Sequence, residues 1–190
     1  MTLKQAKKLA RGALSDKRYQ HTLNVKKEAV HLAGLYGADE EKAALAALLH
    51  DAAKERSKEE LLQILQDNAI IAPGAASRPA PVWHGICAAI LARTQWGVED
   101  QEVLDAIACH TTGRPGMTKL DKILFLADMV SAERDYPTVG MLRRLAEQDL
   151  DAAVLEALGQ NIEFVAQSGR PVDEMSRAAY NDLRQTLREG

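Results

Sequence analysis

Aromatic residues are scarce in this chain: two Phe, two Trp and four Tyr among 190 residues. Cysteine is scarcer, with only Cys87 and Cys109, each inside an apolar stretch. Two such cysteines do not make a disulfide framework and read as reduced core thiols. There is no excess of positive charge, since the net charge is −3 and the pI near 6.0. The chain therefore offers no basic footprint for gripping a DNA duplex. No apolar run approaches the roughly 20 residues of a membrane span. The opening Met1-Thr2-Leu3-Lys4 is polar and lacks the apolar core of a secretory signal. No segment alternates polar and apolar residues with the period of a half-buried strand. Together these absences argue against a membrane protein, a secreted disulfide scaffold and a duplex-binding module. They predict a cytoplasmic protein.

What is abundant is helix-forming material. Hydrophobic residues make up 46% of the chain, mostly Ala, Leu, Ile and Val, interleaved with Glu, Lys and Gln. The length suits one domain with a core of its own, residues 1–190. The periodicity predicts helices over about 3–14, 16–35 (capped by Ser15 or Asp16 and ended before Gly37) and 39–54. A further helix over about 57–67 opens with a Ser57–Glu60 capping box. Residues 71–81 form the clearest loop, with Pro73, Gly74, Pro79 and Pro81. Pro81 suits the first turn of a helix reaching about Trp96. Helices over about 100–111 and 118–132 follow, the latter opened by Thr118 and Asp121. After Pro137, residues 138–168 read as one long or two shorter helices, and a last helix covers about 173–188. The expected fold class is all-α, a single helical bundle.

Against this apolar background, a few polar side chains stand out. His50-Asp51 directly follows the run Ala43-Ala44-Leu45-Ala46-Ala47-Leu48-Leu49. Burying an imidazole and a carboxylate there is costly without compensation, and a bound cation is the usual remedy. His21, His84, His110 and Asp128 each fall on their own predicted helix, Asp128 within Ile123-Leu124-Phe125-Leu126-Ala127-Asp128-Met129-Val130. On a helix through residue 54, His50 and Lys54 share a face, as do Arg18 and His21. Arg18, Lys54 and Arg134 supply cations suited to phosphate, and Thr111-Thr112-Gly113 offers hydroxyls and backbone N–H groups beside His110. Mixed His and carboxylate donors suit Fe, Mn, Zn or Ni better than Mg alone. A metal so held would polarise a phosphoryl oxygen and lower the pKa of a bound water toward about 7.

The order His21, His50-Asp51, Asp128 resembles the metal-binding pattern of the HD-domain phosphohydrolase superfamily. More narrowly, Arg18-Tyr19-Gln20-His21, Leu48-Leu49-His50-Asp51-Ala52-Ala53-Lys54 and His110-Thr111-Thr112-Gly113 resemble the YqeK family of bacterial HD proteins. So does Lys122-Ile123-Leu124-Phe125-Leu126-Ala127-Asp128 with Arg134. The similarity runs from about residue 3 to 188. It implies symmetrical hydrolysis of diadenosine tetraphosphate (Ap4A) into two ADP with an iron-type metal. It also implies His21, His50, Asp51 and Asp128 as ligands of one metal, iron first and Mn, Ni or Zn as alternatives. In other HD proteins the histidines matching His84 and His110 hold a second metal, so the metal count stays open. Lys54, Thr111, Gly113 and Arg134 would face nucleotide phosphates, backed by Arg18. His84 or His110 would donate a proton to the leaving diphosphate or position it.

The implied partners are a dinucleoside polyphosphate and ADP- or GDP-like products, with a homodimer left open. Two rivals keep the same fold: another HD-type nucleotidase or phosphodiesterase, and an ADP- or GDP-binding sensor without turnover. Simpler readings serve elsewhere. His31 has no partner at ligand spacing, Trp83 and Trp96 read as core anchors, and Arg143-Arg144 reads as a solvated face.

Overall fold

The computed structural model describes residues 1–189. The polypeptide folds into helices α1 (Leu3–Ala13), α2 (Asp16–Tyr36), α3 (Glu40–Leu49), α4 (Lys58–Asp67) and α5 (Trp83–Thr94). These are followed by α6 (Gln101–Cys109), α7 (Lys119–Val130), α8 (Val139–Ala146), α9 (Leu150–Gln167) and α10 (Glu174–Glu189). Single 3-10 turns at Ala75–Ser77 and Ala80–Val82 punctuate the proline-rich loop. Among the described residues there is no strand. None of their helices is long and apolar enough to cross a membrane.

Local chemistry sets most helix ends. The Ser57 hydroxyl accepts from the Glu60 amide while Glu60 reaches back to the Ser57 N–H, and Thr118 with Asp121 repeats the arrangement at α7. Asp39, Asp100 and Asp149 cap α3, α6 and α9 in the same sense. Gly37, at φ +63°, closes α2 in a left-handed conformation that a side chain would strain. Asp149 is what divides residues 138–168 into two helices.

The core is centred on α7, which packs against α2, α3, α6, α8 and α9. Ile123, Leu124, Phe125, Leu126 and Ala127 are all buried, so α7 is apolar around its circumference, as a central helix must be. The buried faces of α2 and α3, which pack together, are dominated by Ala29, Ala33, Ala43, Ala46 and Ala47. With so few aromatics, small residues and Leu do the filling.

Several expectations are corrected. The third helix ends at Leu49, not at 54: Ala52 N–H bonds Leu49 O at 3.0 Å and Lys54 N–H bonds Asp51 O at 2.8 Å, in successive tight turns. His50 and Lys54 are therefore not partners on one helical face. Likewise α6 stops at Cys109, leaving His110 as its C-cap. Pro81 belongs to the 3-10 turn before α5, not to α5 itself. Ser15 occupies the N-cap of α2, yet its hydroxyl donates to Glu55 Oε1 at 2.6 Å, fastening the turn after α3 instead of capping. Arg143 is no solvated residue: it donates to the carbonyls of Val130, Ser131 and Arg134 at 2.9, 2.7 and 2.9 Å. It thereby caps α7 and fixes the loop that follows.

Cys87 and Cys109 are free and buried. Burial pushes both thiols up, Cys87 to about 12. Neither should react with a thiol reagent at pH 8 until the chain is unfolded, and labelling of the native protein would contradict this packing. The folded state holds the Cys87 proton more tightly than the unfolded chain, where the ordinary value is 9.0. That contribution is full below pH 9 and disappears as pH rises toward 12, so urea stability should fall across this window.

Candidate functional site

Four segments bring their polar residues to one point: His21 from the second turn of α2, His50-Asp51 after α3, His84 from the first turn of α5, and His110 capping α6. Asp128 joins them from the last turns of α7. Asp51 is the hub. Its Oδ2 lies 3.6 Å from His50 Nε2 and 3.7 Å from His21 Nε2, while its Oδ1 lies 3.2 Å from His84 Nε2 and 3.8 Å from His110 Nε2. Asp128 Oδ1 is 3.1 Å from His21 Nε2. The structure thus brings His21, His50, Asp51, Asp128, His84 and His110 together.

Each histidine is held by its other nitrogen. His50 Nδ1 bonds Ala47 O at 2.7 Å, His84 Nδ1 bonds Pro81 O at 2.9 Å and His110 Nδ1 bonds Ile107 O at 2.8 Å. A carbonyl only accepts, so Nδ1 carries the proton and Nε2 presents a lone pair. His21 Nδ1 meets Glu133 Oε1 instead. Burial pushes His84 down and His110 to about 3, so neither is a cation at neutral pH. Burial also pulls on His21, but the carboxylates of Asp128, Glu133 and Asp51 outweigh it and raise its pKa.

Compensation of the two carboxylates is incomplete. Arg18 Nη1 stands 3.1 Å from Asp51 Oδ2, and Arg134 binds Asp128 twice, Nη2 to Oδ1 at 2.5 Å and Nε to the carbonyl at 2.9 Å. Lys54 Nζ lies 3.2 Å from His84 Nε2, and burial lowers its pKa. Yet the Nε2 atoms of His21 and His50 are buried without a hydrogen-bond partner among the described residues. Three donor groups have ligand atoms within 4.8 Å of one another: His21, His50 and Asp51; His50, His110 and Asp128; Asp51, His84 and His110. Orphaned imidazole lone pairs facing shared carboxylates fit a transition metal, and the mixed N/O donor set suits one.

His110 and Asp128 of the cluster line a cavity of about 870 Å³. Lys54, His110, Thr111, Asp128 and Arg134 line its inner end, and the turn Pro79–Val82 forms one wall. The far wall comes from the last turns of α9 and the loop to α10, where Phe164 is 65% exposed with the Arg170 guanidinium 5.6 Å from its ring centre. Arg78 ties together two residues of this lining, Thr112 and Asp173. It binds both oxygens of Asp173 at 2.8 Å and reaches the Thr112 hydroxyl at 3.3 Å, while Asp173 accepts the Met175 N–H at the start of α10.

Gly113 departs from its expected role. Its N–H is taken by Cys109 O at 2.7 Å, and a Cβ there would press on Ala179, Met117 and Leu158. At φ +66° it turns the chain into the core and does not face the cavity. Thr112 is occupied by Gly113 O and Arg78, which leaves Thr111, whose buried Oγ1 has no partner among the described residues. Glu133, Asn24, Arg78 and Asp173 went unnoticed in the sequence, because their partners lie far along the chain or in another loop, while Arg143 reads there as solvated. His31 is exposed and pairs with Glu147 at 2.7 Å, away from the site.

A helical bundle gathering His, His-Asp and Asp in this order is an HD domain, and the HD-domain family model matches residues 18–133. The chain belongs to that family, whose fold is that of metal-dependent hydrolases. It is 39% identical to the symmetrical bis(5'-nucleosyl)-tetraphosphatase of Halalkalibacterium halodurans over 94% of this chain and 95% of that protein. To the protein of the same name from Bacillus subtilis it is 38% identical, over 96% and 98%. The crystal structure of a "predicted HD superfamily hydrolase involved in NAD metabolism" from Clostridium acetobutylicum superimposes with a TM-score of 0.91 at 34% identity, covering 98% of each chain.

Gly85 tests the packing of the cluster. A Cβ on it would sit 2.9 Å from His110 Cε1 and 3.2 Å from Ile107 O. Gly85→Ala should therefore cost about 1–3 kcal/mol in urea unfolding. Gly12→Ala in α1, where nothing lies within 4 Å of an added Cβ, should stabilise by up to about 1 kcal/mol. Equal effects at the two sites would refute the close approach at His110.

Proposed function

We propose that this protein hydrolyses Ap4A symmetrically to two ADP, with His21, His50, Asp51 and Asp128 holding one metal, iron first and Mn, Ni or Zn able to replace it. The observation that carries this reading is a cluster with orphaned His21 and His50 Nε2 atoms whose His110 and Asp128 line a cavity together with Lys54 and Arg134. Near full-length similarity to proteins named symmetrical bis(5'-nucleosyl)-tetraphosphatase supports the substrate. When bound, the metal supplies Lewis-acid charge to a phosphoryl oxygen and an acidified water.

The chain's own groups do the rest. Arg134 uses two of its N–H groups on Asp128, and the remaining N–H groups of its planar fork are free to donate to phosphate oxygens. Lys54 adds a point charge beside His84, and the Thr111 hydroxyl offers a further donor. Together they neutralise charge that builds on the phosphoryl oxygens. Arg18 backs the cluster through Asp51.

His84 and His110 are better suited to accepting than to donating protons, because their Nδ1 protons point to backbone carbonyls and burial keeps the rings neutral. No strong acid is required on this reading: a terminal phosphate with its last pKa near about 6 leaves readily as the anion. The cavity, at about 870 Å³, lies within the range of small-molecule sites and takes one nucleoside diphosphate half. Two unpaired thiols accord with a reducing, cytoplasmic setting.

Incubation with Ap4A before and after chelation tests this reading. ADP as sole product, lost on chelation and restored by Fe or Mn, is the expected result. ATP plus AMP would overturn symmetrical cleavage, and turnover of nucleoside monophosphates or cyclic nucleotides in place of Ap4A would move the protein to another HD chemistry. Product binding without turnover under any metal would make it a sensor. Asp51→Ala should lose both bound metal and activity, by at least about a hundredfold in kcat/KM; full activity in that variant rules out the assigned cluster.

A further inference from the structure

His21 differs from the other three histidines in how its ring is held. His50 and His110 cap helices, where the last carbonyls have no i+4 amide to accept and are free for the ring of the same turn. His21 sits in the second turn of α2, where every carbonyl is already engaged by the helix ladder. It needs an acceptor from elsewhere. That acceptor is Glu133, 112 residues away on the loop after α7.

The Glu133 carboxylate is itself fixed on both oxygens. Ser131 Oγ donates to Oε1 at 2.8 Å, and Asn24 Nδ2, one turn beyond His21 on the same face of α2, donates to Oε2 at 2.6 Å. The loop carrying Glu133 is tied down by the three bonds from Arg143 and by the double contact of its neighbour Arg134 with Asp128. Four separate anchors thus converge on the orientation of one imidazole.

We propose that Glu133 is the positioning residue of the metal centre: it holds His21 with the proton on Nδ1 and the Nε2 lone pair aimed between Asp51 and Asp128. The inference rests on the reading of His21 as a metal ligand. A carboxylate is a stronger acceptor than a carbonyl, so His21 is also made a more basic donor than its three neighbours. Glu133 touches no reacting atom and acts only through His21.

The test is Mn²⁺ binding to chelator-stripped wild type, Glu133→Gln and Glu133→Ala, with ¹⁵N NMR of His21 in the stripped proteins as a second readout. Glu133→Ala should weaken Mn²⁺ binding about 10–100-fold and redistribute the His21 proton between its nitrogens. Glu133→Gln keeps an acceptor oxygen without the charge, so it should restore the Nδ1–H tautomer and recover part of the affinity. If the alanine variant fails to fold, a loss of affinity in the glutamine variant alone decides. Unchanged affinity and an unchanged His21 tautomer in the variants, with wild type binding Mn²⁺ normally, overturns the role of Glu133 alone. Wild type that neither binds Mn²⁺ nor cleaves Ap4A overturns the underlying site reading as well.

Discussion

Two carboxylates set inside an otherwise apolar bundle are the constraint on which this structure turns. Asp51 is 3% exposed, and Asp128 lies on α7, the helix on which the core is centred. Isolated in such surroundings, either charge would be neutralised by a large pKa shift or would unfold the domain. Both are instead held well below the usual carboxylate range against the pull of burial, with the Arg134 guanidinium acting at Asp128. The nearby histidines are not incidental, since each presents a nitrogen lone pair to the same space. Donors that would repel one another in an empty pocket become mutually consistent around a cation.

That arrangement depends on where helices end. α3 and α6 each stop one residue before a cluster histidine, which frees a terminal carbonyl to fix the ring of the same turn. The short turns after Leu49 then swing Asp51 and Lys54 toward the axis of the bundle. Had α3 continued to residue 54, Asp51 would point about 100° away from His50. The break in the helix and the chemistry of the cluster are therefore one feature, and Ser15 with Glu55 pins it from the outside.

The fold class and most helix boundaries were legible because they rest on local chemistry: the capping boxes at Ser57 and Thr118, the glycine at 37, the proline-rich loop. The six cluster residues were legible because polar groups in apolar runs are conspicuous. The end of α3 was not, since Ala-Ala-Leu-Leu-His-Asp-Ala-Ala contains no helix breaker and the stop comes from tertiary contacts. Glu133, Arg78 and Asp173 were invisible for a related reason. A charged residue in a polar loop carries no sign of its partner when that partner is 95 or 112 residues distant. Gly113 misled in the opposite direction: next to His110 and two threonines it resembles a phosphate loop, while its left-handed backbone serves the packing of α9 and α10.

Symmetrical cleavage adds a demand that the cluster alone cannot meet. A site that recognised only phosphates would sit anywhere along a four-phosphate chain and yield mixed products. A midpoint cut needs a ruler, with one nucleoside stopped at a fixed distance from the reacting phosphorus. The cavity has the parts of one: cations at the inner end, and an outer wall built from Phe164, Arg170 and the loop into α10. The Arg78–Asp173 pair joins the proline-rich loop, the His110–Thr112 turn and the start of α10 into a single frame. A bidentate ion pair with a carboxylate only 5% exposed resists displacement far better than a surface pair.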